Sequence, residues 1–147
     1  MLSFAWMPGQ PEPDQPNPSN FGLKAGPKTL IYVVDDEAML LELAACILEP
    51  LGYELRTYRD PATALEAFTS AQPRPALVIT DFAMHRMNGM ALIEACRKLE
   101  PKQKILLLSG TVGPEVYFHS TCKPDQFLGK PYYAQQLIDL VKSMLSN

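Results

Sequence analysis

The chain has 147 residues, 47% hydrophobic and 20% charged, and its 13 Lys and Arg against 16 Asp and Glu leave a net charge of -3. That balance fits one soluble globular domain. It leaves no basic patch for a phosphate backbone, which argues against direct nucleic-acid binding, and no apolar run approaches a membrane span.

Residues 1–27 hold six of the 14 prolines, together with Asn, Gln and Gly in no periodic order. Such a composition cannot bury enough apolar surface to offset ordering entropy, so a disordered tail is expected there. Its apolar tip, Leu2, Phe4, Trp6 and Met7, is either a docking motif or a leader without function. The tip has no positive flank and no small-residue cleavage site, so it is not a signal peptide. Residues 28–147 are left as the domain, long enough to bury roughly two thirds of its unfolded surface. The three cysteines, Cys46, Cys96 and Cys122, form no CxxC pair and sit among apolar residues. They read as packing residues in a reducing cytoplasm.

Thr29–Val34 (TLIYVV) is a β-branched and aromatic run that stops at Asp35-Asp36-Glu37. The following AMLLELAACILEPLGY places Leu40, Leu41, Ala44, Ile47 and Leu48 at helical spacing. Tyr53–Tyr58 alternates as a strand. Asp60-Pro61 then supplies an N-cap and first-turn proline for ATALEAFTS. Pro73 and Pro75 mark a loop, and Ala76–Thr80 (ALVIT) is a third strand ending at Asp81. Asn88-Gly89 precedes the helical pattern MALIEACRKL, and Lys104–Leu108 is a fourth strand ending at Ser109-Gly110. A short fourth helix is expected from Pro114 to about Ser120, with a turn at Lys123-Pro124-Asp125. Gln126–Gly129 forms the last strand, and Tyr133–Leu145 a last amphipathic helix with Leu137, Ile138, Val141, Met144 and Leu145 on one side. The predicted total is five strands alternating with five helices.

Apolar strands separated by helices imply an α/β fold, a doubly wound five-stranded parallel sheet covered on both faces. In such a sheet ligands bind at the carboxyl ends of the strands. Four of the five strands end there in residues suited to phosphate or metal chemistry: Asp35-Asp36, Asp81, Ser109 and Lys130. Each alone has an ordinary role as a cap, turn or surface residue. Together they require the first, third, fourth and fifth strands to be neighbours, and three carboxylates so placed call for a cation. Mg²⁺, a hard ion that takes oxygen ligands, answers that need, with Mn²⁺ as a substitute. A carboxylate nucleophile, a divalent ion, a lysine and a hydroxyl are the parts of a phosphoryl-transfer site.

VVDDE, the ITD ending, LLLSG and the GKP triplet stand in the order and at close to the spacing of the receiver domains of two-component response regulators, which residues 28–147 resemble. The resemblance implies the flavodoxin-like, CheY-like (βα)5 topology with strand order 2-1-3-4-5. It makes Asp81 the phosphoacceptor, Asp35 and Asp36 the acidic pair that holds Mg²⁺, and Ala83 the donor of a backbone carbonyl to the ion. Lys130 would pair with the phosphoryl group across a cis Lys130-Pro131 bond. Ser109 would be the switch hydroxyl and Phe127 the aromatic that follows it inward. Ala83 and Thr111 would flank the path of attacking water. The implied partners are a histidine kinase or histidine phosphotransfer domain, and a second copy met through the fourth helix, fifth strand and fifth helix.

His85 stands where the family has proline, and TCKPDQ replaces its small turn before the last strand. No output domain follows in this chain, which is read as a stand-alone regulator or a receiver from a hybrid kinase or larger regulator. It is read as a phosphoacceptor that assists its own phosphorylation and dephosphorylation, not as a turnover enzyme. Three alternatives compete. A phosphorylation-independent pseudo-receiver would lack part of the acidic set. A dehalogenase-type phosphatase would carry DxD on its first strand. A nucleotide or flavin site has no GxGxxG or GxxxxGK[ST] to support it.

Overall fold

The computed structural model describes residues 27–146; the apolar tip and almost all of the expected tail lie outside the described residues. Five strands, β1 (Leu30–Val34), β2 (Glu54–Tyr58), β3 (Leu77–Asp81), β4 (Ile105–Ser109) and β5 (Gln126–Gly129), form one sheet. Their order is β2-β1-β3-β4-β5 and every neighbouring pair is parallel, as expected. The α-helices are α1 (Ala38–Leu48), α2 (Pro61–Ser70), α3 (Gly89–Leu99) and α4 (Ala134–Leu145).

Local chemistry sets the helix starts. The Asp60 side chain accepts from Ala62 N at 3.1 Å with Pro61 at the first helical position, and Asn88 accepts from Ala91 N at 2.9 Å. Both satisfy amide donors that have no partner within the helix. At α4, Tyr133 N donates to Gln136 Oε1 at 2.7 Å. Beyond α1, a 3₁₀ turn over Glu49–Leu51 closes on Gly52, whose φ of 97° suits only a residue without Cβ.

The expectation for the fourth helix fails. The fourth helix is not an α-helix: only a 3₁₀ turn forms, over Pro114–Tyr117, so four α-helices rather than five cover the sheet. Glycines flank Pro114 on the N-terminal side, and the Lys123-Pro124-Asp125 turn follows closely, leaving no room for the third and fourth turns an isolated helix needs. Asp125 then fixes the start of β5, its Oδ2 accepting from Ile105 N at 2.7 Å and Arg97 Nη2 at 2.9 Å.

Alternation along the strands divides the core. Ile31, Val33, Leu77, Ile79, Leu106, Leu108 and Leu128 face α1 and α4, meeting Leu41, Ala44, Leu48, Leu137, Val141 and Met144. Tyr32, Val34, Val78, Ile105 and Leu107 face the other way, against Ala64 and Phe68 of α2 and Leu92, Ile93 and Cys96 of α3. Leu40 and Ile138 are only half-buried. Of the three cysteines expected to pack, Cys96 does so, Cys122 is partly covered and Cys46 is exposed, because its position on α1 points away from the sheet.

Candidate functional site

The parallel pairing lines up the carboxyl ends of the strands. Val34 pairs with Thr80, Asp81 with Leu108 and Ser109 with Gly129, so the ends of β1 and β4 flank the end of β3, and the residue after β5 reaches it from one strand further along. Lys130 Nζ lies 3.0 Å from Asp35 Oδ2 and 3.0 Å from Asp81 Oδ1. Ligand atoms of Asp35, Asp36 and Asp81 all fall within 4.8 Å of one another. Asp35 and Asp81 are buried and Asp36 half-buried. All four residues named from the sequence as the acidic set and its lysine are therefore brought together.

Asp35 is also part of the local fold, its Oδ1 accepting from Glu37 N at 3.0 Å just before α1. Burial pushes the Asp81 carboxyl above its ordinary value, outweighing the hydrogen bond and charge of Lys130, and the charge of Asp35 adds to the rise. Burial alone would lower Lys130, but hydrogen bonds to Asp81 and Asp35 and their two charges carry it above its ordinary value. Lys130 is thus a fixed cation. Three carboxylates against one ammonium leave two negative charges in a small, largely desolvated space. An oxygen-rich site with that imbalance fits a hard divalent cation.

Ser109 is buried at the end of β4, yet its hydroxyl serves its own loop, Oγ accepting from Thr111 N at 3.2 Å and Val112 N at 3.0 Å. Phe127 is half-buried, its ring 6.3 Å from that of Tyr117. Ala83 and Thr111 are exposed in the loops after β3 and β4. The Lys130-Pro131 bond is cis, as expected.

Two contributors, Arg59 and Gly89, escaped the sequence reading, and a third, His85, enters it only as a departure from the family's proline. Arg59 donates from Nε at 3.3 Å and Nη2 at 3.2 Å to the Asp36 carbonyl, holding the acidic loop from the end of β2, the strand thought to contribute nothing. His85 places Nε2 3.7 Å from Asp36 Oδ2 while its side chain stays 93% exposed. Gly89 is packed so closely that a Cβ there would lie 2.5 Å from the Asp81 carbonyl oxygen. The Asn88-Gly89 pair signalled a helix start, but nothing local in sequence marks this approach of α3 to Asp81. Arg86 adopts a φ of 71° in the same loop, a left-handed conformation uncommon outside glycine.

The sequence matches the response regulator receiver domain over residues 31–142. The chain belongs to this family. Solved receivers share the fold: a CheY-like receiver domain protein from Methanospirillum hungatei superposes with a TM-score of 0.75 at 26% identity, covering 81% of this chain and 94% of that one. Chemotaxis protein CheY4 of Vibrio cholerae gives 0.74 at 25% identity, covering 80% of this chain and 99% of that one. Among curated relatives, the alkaline phosphatase synthesis transcriptional regulatory protein SphR of Synechococcus elongatus is 28% identical over 135 residues, 82% of this chain and 50% of that protein. The nitrogen assimilation regulatory protein NtrX of Azorhizobium caulinodans is 30% identical over 118 residues, 78% of this chain and 26% of that protein. The receiver therefore spans half or less of the length of these relatives. No helix among the described residues is long and apolar enough to cross a membrane.

Proposed function

We propose that this receiver is a phospho-switch in which the Asp81 carboxylate accepts a phosphoryl group from a phosphohistidine on a histidine kinase or histidine phosphotransfer protein. The observation that carries this reading is the Lys130 ammonium held 3.0 Å from both Asp35 and Asp81, inside a cluster that still has excess negative charge. Asp35, Asp36, Asp81 and the Ala83 carbonyl would hold Mg²⁺ or Mn²⁺, which when bound neutralises charge on the transferring phosphoryl oxygens.

The residues of the chain supply the remainder. Asp81 is already an anion when ion-paired with Lys130, so its attack on phosphorus needs no general base. As the new O–P bond forms, the P–N bond of the donor breaks and its electron pair remains on the imidazole nitrogen. Lys130 then exchanges one carboxylate partner for a phosphoryl oxygen at little cost in reorganisation. Ser109 reaches the phosphoryl group only by releasing the Thr111 and Val112 amides, and that exchange draws the β4 loop inward with Phe127 following. Phosphorylation so favours a second loop arrangement, a population shift rather than a turnover reaction. A cytoplasmic setting, where histidine-kinase domains and reduced thiols coexist, suits this chemistry. An activated pair of copies would meet through the 3₁₀ turn, β5 and α4.

The test is intact mass after incubation with acetyl phosphate, with and without Mg²⁺, beside Asp81→Asn. One phosphoryl adduct, absent from the variant and without Mg²⁺, is expected. No adduct from several donors on folded, Mg²⁺-replete protein would overturn the reading in favour of a phosphorylation-independent interaction module.

A further inference from the structure

His85 meets the acidic set from its open side, Nε2 standing 3.7 Å from Asp36 Oδ2. The other hold on Asp36 is through its backbone, since Arg59 donates to the Asp36 carbonyl and not to its carboxylate. Among the described residues, His85 is therefore the side chain placed against that carboxylate. The separation is too long for a hydrogen bond. It is close to what a shared ion requires, because two ligands bound at ~2.1 Å to one ion stand roughly 3.0–3.4 Å apart. A tight turn fixes the backbone here: Met87 N donates to His85 O at 2.8 Å, and Arg86 between them takes the left-handed φ of 71°. The ligand atoms that meet within 4.8 Å are those of Asp35, Asp36 and Asp81, so the imidazole would join them from the rim, by rotation about its own side-chain bonds. With 93% of that side chain exposed, no packed neighbour opposes the movement.

We propose that His85 is a further, nitrogen ligand to the ion held by Asp35, Asp36 and Asp81, and that it turns the site toward transition ions that favour imidazole. The inference rests on reading the three carboxylates as a divalent-cation site, and deepens that reading by naming the class of ion. An all-oxygen set suits Mg²⁺, which gives up its water reluctantly and gains little from a ring nitrogen. Ions such as Ni²⁺ and Zn²⁺ bind imidazole well, and one nitrogen added to three carboxylates raises their affinity selectively. The proline that the family carries at this position has no side-chain donor, so the substitution by histidine creates the ligand. The chain's other histidine, His119, is exposed after the 3₁₀ turn and pairs with no carboxylate among the described residues. It serves as the control for binding at any surface imidazole.

The experiment titrates the full chain by calorimetry with Ni²⁺ and, separately, with Mg²⁺. The two ions share a charge and nearly a radius, so they differ chiefly in their preference for nitrogen. The chain is compared with His85→Ala, His85→Gln, His119→Ala and Asp36→Asn, and far-UV circular dichroism checks that each keeps its fold. Groups that only orient a metal ligand already change affinity 10–100-fold, so loss of a direct ligand should weaken Ni²⁺ at least about tenfold in both His85 variants. Mg²⁺ binding should stay within about twofold there, since it does not use the nitrogen. His119→Ala should leave both ions as they are, and Asp36→Asn should weaken both. Unchanged Ni²⁺ binding in the His85 variants would overturn the proposal. So would equal losses of both ions, or full Ni²⁺ affinity in His85→Gln, either of which would make His85 a positioning residue for Asp36. Ni²⁺ binding indifferent to Asp36→Asn would place that ion elsewhere and overturn it as well. A full chain that binds neither ion would bring down the cation-site reading together with this one, whereas Mg²⁺ binding with Ni²⁺ indifferent to His85 would remove this inference alone.

Discussion

The two faces of the sheet start from the same strands but are covered differently. One face lies under α1 and α4, and their residues Leu41, Leu48, Leu137 and Val141 are all buried. The other has α2 and α3 over β1, β3 and the buried Ile105 and Leu107 of β4, but among the described residues the edge at β5 has the 3₁₀ turn and its flanking loop for cover. There Val116, Tyr117, Cys122 and Phe127 are all only partly buried, and Phe118 is 59% exposed. The lesson is that strand alternation guarantees two apolar faces but not equal protection, which depends on whether the crossover is long enough to form a helix. In this receiver the thin cover lies beside Ser109 and Phe127, the two residues proposed to move. Regions with few buried contacts open at low free energy, so a switch belongs there.

The sharpest way to break this comparison is truncation in each region. Phe68→Ala under α2 and Leu137→Ala under α4 should each cost about 3–5 kcal/mol of unfolding free energy, since both side chains are buried on all sides. Phe118→Ala in the thin corner should change it by less than ~0.5 kcal/mol. Urea titrations of the three variants decide it, and similar losses for all three would show that the corner is packed as tightly as the helical layers.

Gly89→Ala comes next, because its methyl would press on the Asp81 carbonyl oxygen and on Phe82 Cα, which are backbone and cannot swing aside. A loss of about 1–3 kcal/mol is expected from such overpacking, with weakened divalent-ion binding by calorimetry as its local signature. Arg86→Gly should act in the opposite direction. It relieves a left-handed residue and gives up only an ion pair to Asp60 at 3.7 Å between partly exposed groups, for a gain of about 1 kcal/mol in the same titrations.

The smallest effect is a pH dependence. Burial, and then a hydrogen bond with Tyr32, raise the Tyr58 hydroxyl from 10.0 to about 12. The folded state therefore keeps a proton that the unfolded chain gives up first, and the associated stability is fully present below pH 10.0 and lost as pH rises through about 12. Melting temperatures across that window should fall less steeply in Tyr58→Phe. An identical slope would mean that the tyrosine pair, whose rings lie 5.1 Å apart, does not shape the alkaline response.

Much of the receiver was legible because its signals are local. Strands ending in Asp35, Asp81 and Ser109 announced themselves as apolar runs stopped by a polar residue, and Asp60-Pro61 and Asn88 marked their helices through caps that bond within three residues. The roles of Arg59 and Gly89 were not legible. Arg59 acts on Asp36, 23 positions away in sequence, and Gly89 matters because α3 crosses the end of β3. The loss of the fourth helix was half legible, since its breakers were visible but the balance between a short helix and a turn depends on packing.

The sequence by itself determined the alternation of strands and helices, the residues at the strand ends and the order in which they occur, since each depends on side-chain chemistry over a few neighbours. Only the tertiary structure decided that Lys130 stands between Asp35 and Asp81, that Ser109 bonds its own loop, and that α1 exposes Met39 and Leu43 to solvent. Those facts depend on which distant segments meet. That is set by the parallel register of the sheet and the burial it enforces, and short-range propensity does not encode it.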